Sequence, residues 1–430
     1  MKAESVAMAC AVGALLTVGV VMIDSATVTQ WEAARWRAHL LWLGCGLAAG
    51  VGATLIPYRW LKDPRVHRLL LGAAVLLLVA VLIPGVGEKV NGERRWFRFG
   101  GQPSELAKLI LPLWVAAYAA ARAGCLRSFR AGFLKPMAVI GLVAGLVFVE
   151  QDWGTALLLA GTGTVMLLVA GTRLVFVLPL VPLGAAVLAL LVKLDPGRKL
   201  RLLCFWDLEK YADGPGWQQW HSLLSLGVGG LWGSRVGGGS HKFGFVPEQQ
   251  TDFVFSLIGE ELGFVGTSFV LAMYATIFAC GMRMVWRVAD PFARLLVGGL
   301  TTLITLQALV NIGVATASLP NKGIPLPFVS YGGSDMVCLL AAVGMVLGVA
   351  RQAPRVPEAE RVVEAPDPVA QAHRARLALV AETRRWRPSW RRWLGCRRVS
   401  PAHAAPAPLR PYQRAPRRGG GVAIRCGESG

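Results

Sequence analysis

No cysteines in this chain are spaced to hold a metal ion or to be stapled. Its eight cysteines, at 10, 45, 125, 204, 280, 338, 396 and 426, fall one at a time, so neither a zinc site nor a disulfide framework is indicated. Acidic residues are sparse, 25 Asp and Glu against 45 Lys and Arg, and no segment suggests a soluble cofactor. Charge of either sign is nearly absent from long stretches. That absence excludes a soluble domain, whose apolar runs are shorter and interrupted.

What remains is a succession of uncharged apolar runs in a chain of mean hydropathy +0.50. They cover residues 5–23, 39–57, 69–86, 105–121, 137–149, 154–170, 174–192, 263–282, 295–317 and 331–350. Most approach the roughly 20 residues that a ~30 Å hydrocarbon core requires. The reading is an all-α polytopic membrane protein of about ten transmembrane helices. The first run follows Lys2 and leads into Asp24 rather than a small-residue cleavage site, so it reads as a retained helix, not a signal peptide.

Basic residues concentrate in loops 58–68, 122–135 and 283–294, which the positive-inside rule assigns to the cytoplasm together with both termini. Loop 87–104 is the exception. The alternation puts it outside although it carries Lys89, Arg94, Arg95 and Arg98, and something anionic is expected to meet it.

Three parts follow: a membrane domain over 1–350, a long extracytoplasmic excursion at 193–262 between the seventh and eighth helices, and a tail over 351–430. The second half of the excursion interleaves Leu, Trp and Phe with glycines, a texture for backbone packed against protein at the membrane surface. The tail holds seventeen Arg against six Asp and Glu within Pro-rich and Ala-rich sequence, a composition that cannot bury enough apolar surface to fold alone. Its Arg and Trp cluster at 384–398 points to adhesion to anionic lipid, with nucleic-acid binding the weaker alternative.

Charges inside or beside the apolar runs stand out, because acidic groups at that depth are costly unless used. Glu105 and Lys108, three apart, can pair on one helix face, either as a structural ion pair or as ligand contacts. Asp152 sits in the short turn between the fifth and sixth helices. In the excursion, Asp252 is placed to act as a base, to pair with Lys242 or to cap the helix that follows. Glu248, four residues earlier, shares a face with it if the stretch is helical, and the two could then hold a divalent cation. Arg94, Arg95 and Lys242 suit diphosphate oxygens or ordinary headgroups. Trp96 suits sugar stacking or interfacial anchoring. Lys322 and Ser330 lie at the outer end of the ninth helix among Pro320, Pro325 and Pro327.

Five segments in order resemble the SEDS family (shape, elongation, division and sporulation), whose members include RodA, FtsW and SpoVE. They are NGERRWFRFGGQPSELAKL at 91–109, QDWGTALLL at 151–159, GWQQWHSLLSLGVGGLWG at 216–233, KFGFVPEQQTDFVFSLIGEELGFVG at 242–266 and NIGVATASLPNKGIPLPFVSYGGS at 311–334. The LPNKG and KFGFVPE segments are nearer the FtsW and SpoVE branch. The resemblance implies a peptidoglycan glycosyltransferase in the bacterial inner membrane that polymerises lipid II on the outer face. Asp252 matches the family's essential aspartate and would be its general base. A class B penicillin-binding protein would be the partner, within divisome or elongasome assemblies, and magnesium or manganese is the cation considered. Two other readings stay open: a lipid II flippase using Glu105, Lys108, Arg122 and Asp152, and a non-catalytic scaffold for the transpeptidase. This chain departs from the family pattern in lacking the usual proline of the fifth-to-sixth turn, leaving Glu150-Gln151-Asp152, and in carrying Asp335 where the second serine after Tyr-Gly-Gly is usual.

Overall fold

The computed structural model describes residues 2–27, 33–90, 93–98, 100–194, 196–239 and 251–355. Lys242, Glu248 and the tail beyond 355 therefore lie outside the described residues. In chain order the helices are α1 (Lys2–Thr27), α2 (Ala33–Leu55), α3 (Tyr58–Leu61) and α4 (Pro64–Leu82), then after a hairpin α5 (Pro103–Ala121), α6 (Lys135–Val149) and α7 (Trp153–Val169). They continue with α8 (Leu174–Val177), α9 (Leu180–Leu194), α10 (Pro196–Trp206), α11 (Trp217–Val228), α12 (Val254–Arg287), α13 (Pro291–Ala315) and α14 (Gly333–Gln352). Eight are long and apolar enough to cross a membrane, and α7 and the stretch Leu174–Val187 are shorter apolar helices. The seventh apolar run is broken between α8 and α9 at Pro179, whose ring cannot continue a helix.

One departure from an all-helical chain is a two-stranded antiparallel hairpin, β1 (Gly87–Val90) and β2 (Glu93–Phe97), with Glu88 facing Trp96 and Lys89 facing Arg94. Within the basic loop expected at 87–104, the strands thus set Lys89 opposite Arg94, and α5 takes over at Pro103. A second departure concerns the excursion, which is not open loop through residue 262. α10 and α11 lie within it, and α12 begins at Val254, nine residues before the eighth apolar run. The hydropathy reading stopped at Glu260 and Glu261, yet both are buried. The Ser25 hydroxyl donates to both Glu261 carboxylate oxygens at 2.7 and 2.8 Å, and the Gly237 amide donates at 3.0 Å. Charge that is hydrogen-bonded in this way can stay inside a helix.

α12 breaks direction at Gly263 (φ 67°, ψ −162°), a conformation open to glycine and closed to most residues. The amides released by the break are taken by the preceding loop, Phe264 N to Gly230 O at 2.9 Å and Val265 N to Leu231 O at 3.2 Å. Exposed indoles flank the longer arm of this helix, Trp232 in the loop that packs on the break and Trp286 near the end, as membrane interfaces favour. Five of the described cysteines are free.

Packing between α2 and α14 is by small residues. A Cβ placed on Gly344 would stand 2.0 Å from the Gly50 carbonyl oxygen, and one on Gly348 3.0 Å from the Thr54 carbonyl. Backbones approach this closely where lipid supplies no hydrophobic drive and van der Waals contact must do the work. Gly344→Val is expected to cost about 1–3 kcal/mol through overpacking, read as a lowered Tm of the purified protein in nanodiscs. An unchanged Tm would mean that the two helices are not tightly seated.

Candidate functional site

Where the excursion, the β2 strand, the α6–α7 turn and the segment before α14 converge, a cavity of about 190 Å³ opens, lined by Arg95, Gln151, Asp152, Arg201, Gln218, Asp252, Asn321, Lys322 and Gly323. Each wall is fixed by a local cause. Asp152 is the N-cap of α7, accepting from the Thr155 amide at 3.1 Å and from Gln102 Nε2 at 2.8 Å. Gln151 beside it has φ 67°, a conformation denied to proline. The turn as built here therefore goes together with the missing family proline.

Asp252 precedes Phe253, the N-cap of α12, and that cap makes no side-chain hydrogen bond. The backbone around Asp252 is pinned from α13. Asn311 Nδ2 donates to the Asp252 carbonyl at 2.8 Å and to the Ile324 carbonyl at 2.7 Å, so one amide holds two facing walls. A Cβ on Gly323 would lie 2.8 Å from Asp252 Oδ2; glycine there is what lets the carboxylate sit against the chain. Asn321 Nδ2 donates to Gln218 Oε1 at 3.0 Å. Behind them α11 is anchored by Gln219, which donates to the Val314 and Leu319 carbonyls, and by Ser222, which donates to the Ala315 carbonyl at 2.7 Å. Lys322 stands over the Trp153 ring at 5.2 Å, and the Arg95 guanidinium over Trp96 at 4.2 Å.

Below the turn lies Glu150, 1% exposed, with both carboxylate oxygens lacking a hydrogen-bond partner among the described residues. Burial first and the Asp152 charge second push it up to about 8, with Arg95 pulling the other way.

Of the sequence-predicted site residues, the structure brings together Asp252, Asp152, Arg95 and Lys322. It does not bring Arg94 or Trp96 to the cavity wall; both are half-buried on β2, and Trp96 supports Arg95 through its ring. Ser330 is buried away from the site, where its hydroxyl accepts from the Leu326 amide at 2.8 Å. Glu105 and Lys108 pair as their spacing implies, at 2.5 Å, but inside the bundle rather than at the cavity. Lys108 Nζ also meets Asp335 Oδ1 at 2.6 Å, and Gln307 Nε2 donates to Asp335 Oδ2 at 3.1 Å. Arg122, placed with them on a transport route, stacks on Tyr118 at the opposite end of α5.

Sequence reasoning missed Arg201, Gln151, Gln218 and Asn321. Asn321 and Gln218 stood inside quoted motifs, in LPNKG and GWQQW, and their neighbours drew the attention. Arg201 had a signal in the alternation of RKLRLLCFW. Among the described residues no three His, Cys, Asp or Glu cluster as a metal would need, and Glu248, the second ligand expected beside Asp252, is outside them.

Chemically the cavity sets three permanent cations around two carboxylates and three amides, Gln151, Gln218 and Asn321. Guanidinium and ammonium groups stabilise a departing diphosphate, a carboxylate in hydrogen-bond reach accepts a proton, and amides read hydroxyls.

A family model described as cell cycle protein, covering FtsW, RodA and SpoVE, matches residues 4–355. The chain is 39% identical over 310 residues to the probable peptidoglycan glycosyltransferase FtsW of Geobacter metallireducens, covering 71% of this chain and 82% of that protein. It is 34% identical over 351 residues to stage V sporulation protein E of Bacillus subtilis, covering 78% and 94%. A solved structure from work on structural coordination of polymerization and crosslinking by a peptidoglycan synthase complex superposes with TM-score 0.69 at 30% identity, covering 80% of this chain and 96% of the other. The rod shape determining protein RodA of Thermus thermophilus superposes with TM-score 0.61 at 29% identity, covering 80% and 96%.

Proposed function

The chain belongs to the FtsW, RodA and SpoVE family of membrane-embedded cell cycle proteins, and from that premise we propose that it is a peptidoglycan glycosyltransferase working in the cavity around Asp252. The observation that carries this reading is a single polar cavity in which Arg95, Arg201 and Lys322 meet two carboxylates, Asp252 and Asp152, the latter engaged as the cap of α7. The substrate is lipid II, a disaccharide carried on undecaprenyl diphosphate. Asp252 takes the proton of the acceptor 4-hydroxyl as that oxygen bonds to the donor anomeric carbon. The bond from that carbon to the diphosphate oxygen breaks on the opposite face, so configuration inverts and undecaprenyl diphosphate leaves with the electron pair. The three cations bind the leaving group and become more favourable as its charge develops, which is the condition for lowering the barrier.

A divalent cation, magnesium or manganese, would be held by Asp252 with Glu248 and would add to the neutralisation of the diphosphate. The cavity faces outward with both termini in the cytoplasm. A class B penicillin-binding protein receives the strand for crosslinking, and the basic tail adheres to anionic lipid.

The test is gel resolution of glycan chains made from lipid II by the purified chain with its cognate transpeptidase. Polymer is expected, and its absence under conditions where both proteins are folded and associated sinks the proposal. Within the same assay Lys322→Gln is expected to raise KM about tenfold, the loss of roughly one charge-assisted contact of 1.5–3 kcal/mol. An unaltered KM removes Lys322 from the diphosphate site.

A further inference from the structure

Glu150 has no role in the chemistry above, yet its placement is expensive. A carboxyl group that is 1% exposed with neither oxygen hydrogen-bonded among the described residues is tolerated only when neutral. Two charged groups act on it, Asp152 from the start of α7 and Arg95 from β2, and both line the cavity. Lys322 also stands on this side, over the Trp153 ring, while Glu105 and Lys108 of α5 are paired with each other and with Asp335. α4 packs here too, but its titratable groups, Arg65, His67 and Arg68, lie within its first five residues, at the other end of that helix.

We propose that Glu150 is a positioning residue for Arg95: held neutral beneath the cavity, it leaves the guanidinium charge to the diphosphate of the ligand, and on ionising it draws that charge back. The inference rests on the diphosphate reading of the cavity. The sign follows from the groups named. A protonated Glu150 offers Arg95 nothing stronger than a neutral dipole and so does not compete with a diphosphate for it. An ionised Glu150 competes for the same cation and at the same time repels Asp152. Ligand affinity should therefore be full at neutral pH and fall as pH rises through about 8.

The experiment measures undecaprenyl diphosphate binding to the full chain in nanodiscs, by tryptophan fluorescence, between pH 6.5 and 9.5. Wild type is expected to lose about tenfold in affinity between pH 7 and 9, the range over which a carboxyl titrating near 8 changes from mostly neutral to mostly ionised. Glu150→Gln, fixed in the neutral form, should bind as wild type does at pH 7 and hold that affinity at pH 9. Arg95→Gln should bind weakly throughout with no alkaline step. Infrared spectroscopy at pH 7 should show a protonated-carboxyl band that Glu150→Gln lacks. Identical pH profiles for wild type and Glu150→Gln, or an alkaline step that persists in Arg95→Gln, overturn the inference. Binding is read without turnover, so a failure of polymerisation in every variant would count against the glycosyltransferase reading and leave this comparison intact.

Discussion

Asp252→Asn is expected to lower glycan polymerisation by about 10²–10⁴-fold, the range that a positioned general base supplies, while leaving the protein folded and able to bind undecaprenyl diphosphate. Asparagine matches aspartate in size, so the clearance at Gly323 is preserved. The bond from Asn311 goes to the Asp252 backbone carbonyl rather than its carboxylate, so the wall stays pinned. What disappears is the basic oxygen. The effect should fall on kcat rather than KM, because an interaction made only in the transition state lowers kcat without weakening ground-state binding. Polymer made at the wild-type rate would remove Asp252 from the mechanism. A rise in KM alone would make it a binding residue.

The second large effect is on stability. Lys108, 2% exposed, is the one cation among the described residues that Glu105 and Asp335 share, and Lys108→Met leaves two carboxylates facing each other in the bundle. Removing one partner of a buried ion pair costs about 3–5 kcal/mol, because the uncompensated charge remains where water cannot reach it. A large fall in Tm, or failure to purify a folded protein, is the expected result. Asp335→Ser should be far milder, at most about 1 kcal/mol, since Lys108 and Glu105 still neutralise each other and serine can accept from Gln307. Equal Tm for wild type and Lys108→Met would show that the cluster is solvated. A strong defect for Asp335→Ser beside a weak one for Lys108→Met would reverse the assignment of the shared ion.

Much of this was legible in the sequence, for reasons that differ by residue. The spans follow from hydropathy because lipid penalises any uncompensated charge. Asp152 and Arg95 were found because ionised groups near apolar runs are conspicuous, and Asp252 and Lys322 because they stand in segments that resemble the family. The early start of α12 was hidden because Glu260 and Glu261 look like a helix end until Ser25, 236 residues away in the chain from Glu261, is seen to hydrogen-bond the latter. The same holds for Lys108 and Asp335, separated by 227 positions. Neutral amides such as Gln218, Asn311 and Asn321 carry no charge and no periodic signature, and only their hydrogen-bond partners reveal them.

The break at Gly263 also bears on how the protein meets membranes of unequal thickness. A straight helix of 34 residues would be about 51 Å long, far more than a ~30 Å hydrocarbon core accepts without tilting. The bend divides that length. Residues 254–262 stay with α11 and the glycine loop that hydrogen-bonds across the break, and the lipid-facing remainder is free to choose its own inclination. Hydrophobic mismatch is thereby absorbed at a glycine eleven positions past Asp252, and that carboxylate keeps its height above the lipid whatever the bilayer imposes on the rest of the helix.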